Sequence, residues 1–267
     1  MNKLQPIGVI DSGVGGLSVL KCLQQMLPHE DFIYVGDTAR TPYGTRKEAE
    51  IRRFVYEMLD WLAAKNIKQL VIACNTLTML GVDTLQKNYA FPIIGMSKGE
   101  QLLLQASKNK RVGVLATPFT IAKETHKKAI LAADSKAQVF PVACPEFVQL
   151  IEKEEFGSSE LAAAIADYAA PLKEAGIDAL ILSCTHFPFI KEEIQQEFGA
   201  GVKIIDPAAA TSGNAILDLK NRGLLRTEGR GQIKICCTAD IERVKRLAAR
   251  MLPVEQCEFM QVELKKI

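Results

Sequence analysis

A chain of 267 residues, 48% of them hydrophobic, has the length and apolar content for one large or two ordinary folded domains. Its 33 basic and 31 acidic side chains leave a formal charge of +2, which gives no electrostatic case for nucleic acid or for a polybasic membrane patch. The opening residues carry no long apolar stretch and no run of 18 apolar residues is present to span a bilayer, so a soluble, cytoplasmic protein is expected.

Apolar, strand-like runs fall at 7–10, 31–35, 69–73, 93–96, 111–116, 137–141, 179–183, 202–206 and 232–236. Amphipathic stretches lie between them, with helices expected over 47–64, 120–132, 158–175 and 241–251. Strands alternating with helices predict parallel sheets joined by right-handed crossovers, an α/β class. The chain also repeats loosely. Gly8 and Gly113 stand in similar strands 105 residues apart, Cys74 and Cys184 are separated by 110, and Ile94 and Ile205 by 111. Three strand ends in one order at nearly one offset predict two similar units. The break between them is expected near 97–100, with the segment after Asp206 a third piece that packs on one unit.

The seven cysteines are odd in number and form no C-x-x-C pair, and there are only three histidines. Free thiols are expected, and no metal site. Cys22, Cys144, Cys236, Cys237 and Cys257 read as small buried hydrophobes. Cys74 and Cys184 do not, because polar residues follow each at once: Asn75-Thr76 after the first, Thr185-His186 after the second. A thiol at the carboxyl end of a parallel strand lies where open α/β sheets bind ligands. Two such thiols, one per unit, suit a reaction that removes a proton from one face of a carbon and returns it to the other. His186, two positions beyond Cys184, can tune that thiol or hold its proton. Glu152 carries little signal of its own.

The run Ile10-Asp11-Ser12-Gly13-Val14-Gly15-Gly16-Leu17 is a strand turning through glycines into a helix. It is neither a dinucleotide fingerprint, since Ser18 stands where the third glycine belongs, nor a Walker A loop, since no Gly-Lys-Ser/Thr follows. Asp11 would repel a phosphate; it suits an ammonium group or a thiol that needs a base. The segment Gly36-Asp37-Thr38-Ala39-Arg40-Thr41-Pro42-Tyr43-Gly44 reads as a plain turn or a ligand loop.

These blocks together, with Ala73-Cys74-Asn75-Thr76 and Cys184-Thr185-His186, resemble the glutamate racemases of the aspartate/glutamate racemase superfamily, which work without pyridoxal phosphate; the resemblance runs from Ile7 to about Pro207. It implies two pseudo-symmetric α/β domains, 1–97 with 207–267 and 98–206, with mainly parallel sheets and an active site in the inter-domain cleft. It implies that Cys74 and Cys184 are the catalytic acid/bases, Cys184 acting on the L-enantiomer and Cys74 on the D-enantiomer. Asp11 would assist the first thiol and His186 the second, with Glu152 near that histidine. Asp11, Ser12, Pro42, Tyr43, Gly44, Asn75, Thr76, Thr117, Thr120, Thr185 and His186 resemble the substrate-binding residues.

The resemblance further implies a small-molecule partner, glutamate, no cofactor and no metal, and a role in cell-wall biogenesis and cell shape through D-glutamate for peptidoglycan. A homodimer is a further expectation, and the longer amino-terminal segment of some members is expected to be absent. Phe187 stands where a tyrosine is usual, Met96-Ser97-Lys98-Gly99 replaces a Glu-Pro pattern, and Pro118-Phe119 replaces smaller residues. Two alternatives remain at this point: an aspartate racemase of the same superfamily, and a non-catalytic amino-acid or nucleotide sensor.

Overall fold

Ten strands and the helices between them build two parallel sheets in the computed structural model, which describes residues 1–264. The strands are β1 (Ile7–Asp11), β2 (Phe32–Gly36), β3 (Gln69–Ile72), β4 (Ile93–Ile94), β5 (Arg111–Ala116), β6 (Gln138–Ala143), β7 (Ala179–Ser183), β8 (Lys203–Ile205), β9 (Ile233–Cys237) and β10 (Cys257–Gln261). The first sheet has the order β10-β9-β2-β1-β3-β4 and the second β6-β5-β7-β8. Every described pairing is parallel. Central strands such as IGVID and ALILS are buried throughout, because helices cover both faces of a parallel sheet.

The repeat in the sequence is a repeat of topology. The order β2-β1-β3-β4 in one sheet matches β6-β5-β7-β8 in the other. The described chain forms two compact units, residues 1–96 with the segment from Ala208 onward, and Ser97–Pro207. Ser97 and Pro207 group with the second unit, one residue from the expected joints. Gly99 sits just inside that unit with φ +63, and a Cβ there would lie 2.6 Å from Ile181 Cδ1. Leu103, Val112, Ile130 and Ile181 are core residues of this unit.

In the first unit the helix Ala208–Asn221 packs on Leu17–Met26, and Gln69 donates to Ala215 O at 3.1 Å and to Asp218 Oδ2 at 2.8 Å. β9 then extends the sheet beyond β2. At the opposite end from the thiol, buried Lys68 pairs with Glu30 and donates to Lys3 O at 2.7 Å and Leu224 O at 3.1 Å. Burial pushes the Lys68 pKa down, against the pull of the Glu30 carboxylate.

Two expectations need correction. The helix expected over 120–132 is two helices, Pro118–Ala122 and Thr125–Ala133. Thr117 caps the first, Pro118 occupies its first turn, and Glu124 breaks the run with a left-handed φ of +53. β10 was not expected: it is an edge strand of alternating partial exposure, so its sequence lacks a continuous apolar run. Cys22 and Cys257 are half-buried, not core, while Cys144, Cys236 and Cys237 are buried, and none of the seven described cysteines is in a disulfide. Among the described residues, no helix is long and apolar enough to cross a membrane.

Candidate active site

In each sheet the chain leaves the central strand in one direction and returns on its other side, so the crevice at the carboxyl ends of those two strands is a topological switch point. In the first unit these are β1 and β3. Asp11-Ser12 end the first and Cys74 follows the second. Ser12 Oγ lies 3.7 Å from Cys74 Sγ, and both residues are buried. Asp11 is fully buried and accepts from Gly13 N at 2.8 Å. Gly16 makes this approach feasible: a Cβ there would lie 2.8 Å from Asp11 Cβ and 2.9 Å from Ala73 Cβ.

Cys74 is the extended N-cap of the short helix Asn75–Thr78. Asn75 and Thr76 are buried, and both amide atoms of Asn75 have no hydrogen-bond partner. A buried amide left unsatisfied costs about 1–3 kcal/mol per group, so a polar partner reaching Asn75 would be favoured. The loop Pro42-Tyr43-Gly44 comes to the same region. The Tyr43 hydroxyl is bonded to Asp37, and its pKa is driven up by burial and by Asp37, with a smaller push from Cys74.

In the second unit the corresponding strands are β5 and β7, paired up to Ala116↔Ser183. Thr117 follows the first and Cys184 the second. Thr117 Oγ1 accepts from Thr120 N at 3.4 Å and lies 3.1 Å from Thr120 Oγ1, with both residues buried. His186 is 2% exposed and its Nε2 meets Glu152 Oε1 at 2.8 Å; Glu152 is likewise buried, on the helix Pro145–Glu152. Burial alone would disfavour the imidazolium. Hydrogen bonds to Cys184 and Glu152 outweigh it and hold the His186 pKa well above its ordinary value. Thr185 is buried beside them. Phe187 is fully buried with its edge against Phe147, ring centroids 5.1 Å apart, so apolar packing surrounds the position where the resemblance has a tyrosine.

The expected residues therefore gather into two sets by unit. Asp11, Ser12, Pro42, Tyr43, Gly44, Cys74, Asn75 and Thr76 lie in the first, and Thr117, Thr120, Glu152, Cys184, Thr185 and His186 in the second. Among the described residues, no group of three or more His, Cys, Asp or Glu side chains is placed to hold a metal ion.

A family model described as Asp/Glu/Hydantoin racemase matches residues 7–214. The chain belongs to that family. It is 40% identical to a glutamate racemase of Levilactobacillus brevis over 250 residues, 92% of this chain and 91% of the relative. Its structure resembles that of a glutamate racemase isoform from Bacillus anthracis, with a TM-score of 0.91, 32% identity and coverage of 98% and 99%. It also resembles a glutamate racemase from Francisella tularensis solved with D-glutamate, with a TM-score of 0.86, 33% identity and 98% of each chain covered. The chain is thus a racemase of the Asp/Glu family with its two-domain α/β fold, as the sequence blocks implied.

Three groups that touch these two sets or the loop carrying Tyr43 were missed in the sequence. Cys144, read as a plain hydrophobe, follows β6 as Cys184 follows β7; burial pushes its thiol pKa up, and Cys184 adds to the shift. Glu57 is a buried carboxylate on the helix Glu48–Ala63, bonded to Arg40. Thr238 directly follows β9 and donates to Asp37 Oδ1 at 2.9 Å. Its place after a parallel strand was a usable signal, the one that singled out the two cysteines.

Proposed function

We propose that this racemase interconverts L- and D-glutamate without a cofactor, with Cys74 and Cys184 taking opposite faces of one α-carbon. The observation that supports this most is the matched placement: a buried thiol at the switch point of each of two sheets with the same strand order. A sensor that only binds needs no such pair. In the L-to-D direction Cys184, as thiolate, removes the α-proton, and Cys74, as thiol, delivers one to the other face. The return reaction exchanges the roles.

A free thiol with a pKa of about 8.5 is about 3% ionised at neutral pH, a deficit of about 2 kcal/mol. On one side His186, paired with Glu152, supplies a positive charge beside Cys184. On the other, Asp11 is the carboxylate available to Cys74. The α-carbanion is the harder problem. Hydroxyls of Ser12, Thr76, Thr117 and Thr185, the Asn75 amide and the backbone N–H groups of the glycine turn stabilise charge developing on the substrate carboxylate. An ammonium on the substrate, which Asp11 suits, acidifies the α-carbon further. Glutamate, not aspartate, is the substrate assigned, on the likeness to glutamate racemases at 32–40% identity. The product would serve cytoplasmic peptidoglycan synthesis, and so cell shape.

Circular dichroism of L-glutamate with the purified protein and no additive tests this directly: optical activity decays to zero. L-Aspartate run in parallel should turn over more slowly. In deuterated water, label should enter mainly the product enantiomer early in turnover. Equal early labelling of both enantiomers, or a requirement for pyridoxal phosphate, would overturn the two-thiol scheme.

A further inference from the structure

The loop that carries Tyr43 and Gly44 is held by a buried charged network that the proton transfers do not use. Asp37 is fully buried and both of its carboxylate oxygens are engaged. Oδ1 accepts from Thr238 Oγ1 at 2.9 Å; Oδ2 accepts from Arg40 Nε at 2.5 Å and from the Tyr43 hydroxyl. Arg40 turns its other face to Glu57, and its guanidinium lies 3.9 Å over the ring of Phe54. That ring is itself 5.3 Å from the ring of Tyr43. Arg40 thus bridges two buried carboxylates, a task for a planar fork that a lysine cannot reproduce; Arg53 Nε also approaches Glu57, at 3.8 Å, but from an exposed position.

The strand ends are laced together at the same place. Asp37 N donates to Asp11 O at 3.1 Å and Thr238 N to Gly36 O at 3.2 Å. Thr238 Oγ1 also accepts from Ala39 N at 2.9 Å, while Thr38 Oγ1 donates to Ala239 O at 2.6 Å and accepts from Ala239 N at 2.9 Å. One threonine hydroxyl therefore serves both the carboxylate and the backbone of the loop. It comes from a segment 201 residues away, beyond residue 214 where the family match ends.

We propose that Arg40, Glu57 and Thr238 are positioning residues for the substrate, fixing Tyr43 and Gly44 beside Cys74; this rests on the glutamate racemase reading above. None of the three touches the reacting atoms. Loosening them weakens binding of both enantiomers and leaves the proton transfers intact, so the loss falls on KM and not on kcat.

The test measures kcat and KM for both enantiomers in the full chain. Thr238→Val, nearly isosteric, removes the hydroxyl: KM should rise about threefold to tenfold for each enantiomer with kcat within about twofold. Thr238→Ser, which keeps the hydroxyl, should restore KM to within about twofold of the unmodified protein. Arg40→Lys and Glu57→Gln should raise KM by about tenfold to a hundredfold. If these two fail to fold, the Thr238 pair still decides the matter. Unchanged KM in Thr238→Val, a fall in kcat at constant KM, or a serine variant as impaired as the valine one would overturn the proposal while the unmodified enzyme still racemises glutamate. An unmodified protein that leaves glutamate optically active would instead overturn the racemase reading, and this proposal with it.

Discussion

Cys74 and Cys184 stand at equivalent points of two sheets with the same strand order, yet their surroundings differ in kind. Around Cys74 are a serine hydroxyl at 3.7 Å, a buried carboxylate at the end of β1, and a tyrosine on a loop locked by ion pairs. Around Cys184 are an imidazole with a raised pKa, a carboxylate 2.8 Å behind it, and two threonines. The repeated topology supplies the place for a thiol twice. The loops that follow the strands decide what helps it: an anionic group on one side, a cationic one on the other. A reaction that must run in both directions uses both thiols in both protonation states, so unlike helpers can serve it equally well.

The most severe way to break the comparison is to remove either sulfur. Cys74→Ser and Cys184→Ser should each lower racemisation by about a thousandfold or more, because a hydroxyl does not ionise as a thiol does. Both variants should keep the unmodified melting temperature, since the change is nearly isosteric. A serine variant retaining a tenth of the activity would show that one thiol suffices.

His186→Asn sharpens the asymmetry. An equilibrium constant of one between enantiomers forces kcat/KM to be equal in the two directions, so the difference must appear in isotope effects. kcat should fall by about a hundredfold. The primary deuterium effect should grow with α-deuterated L-glutamate and shrink with the D-enantiomer, because the step at Cys184 becomes limiting. Glu152→Gln should act the same way but more weakly. Its carboxylate helps hold the His186 pKa up, so its loss lowers that pKa and moves the alkaline limb of the pH profile towards neutrality. Identical isotope effects for both enantiomers in His186→Asn would contradict the assignment of this histidine to Cys184.

A smaller effect separates two histidines of the second unit. His126, which lines a cavity of about 80 Å³ together with Thr120, is 4% exposed, and its Nε2 has no partner. Burial, with a contribution from Lys98, lowers its pKa from 6.5 to about 4. The unfolded chain therefore binds this proton more readily. The stability contributed is complete above about pH 6.5 and is lost as pH falls towards 4, on the order of 3 kcal/mol. His186 has the opposite sign: its contribution is complete below its unfolded pKa and fades as pH rises through its raised folded value. Urea unfolding at pH 7.5 and pH 5 should show His126→Gln losing less stability on acidification than the unmodified protein. Equal losses would show that His126 is not held neutral.

The strand ends were legible because a buried parallel strand writes itself as a short apolar run, and the residue just beyond it is forced into polar company only where a ligand needs it. Cys74-Asn75-Thr76 and Cys184-Thr185-His186 both carried that mark. The two-helix break at Glu124 was not legible, since a left-handed residue other than glycine leaves no compositional trace. Glu152 had little signal of its own and was placed near His186 only by the family resemblance; in physical terms, the fold of its helix brings it there, 34 residues on.

The sequence by itself determined an α/β chain with two similar halves and a thiol at the end of one strand in each, because periodicity and strand-end chemistry are local properties; the racemase family entered only through the resemblance of its motif blocks. Tertiary structure decided which groups stand beside each thiol. It brought Thr238 to Asp37 across 201 residues, joined Arg40 to two buried carboxylates, and left the Asn75 amide buried with neither atom paired. Apart from the Arg40–Asp37 pair, three residues apart, those contacts depend on burial and on distances between segments remote in the chain, which no local pattern encodes.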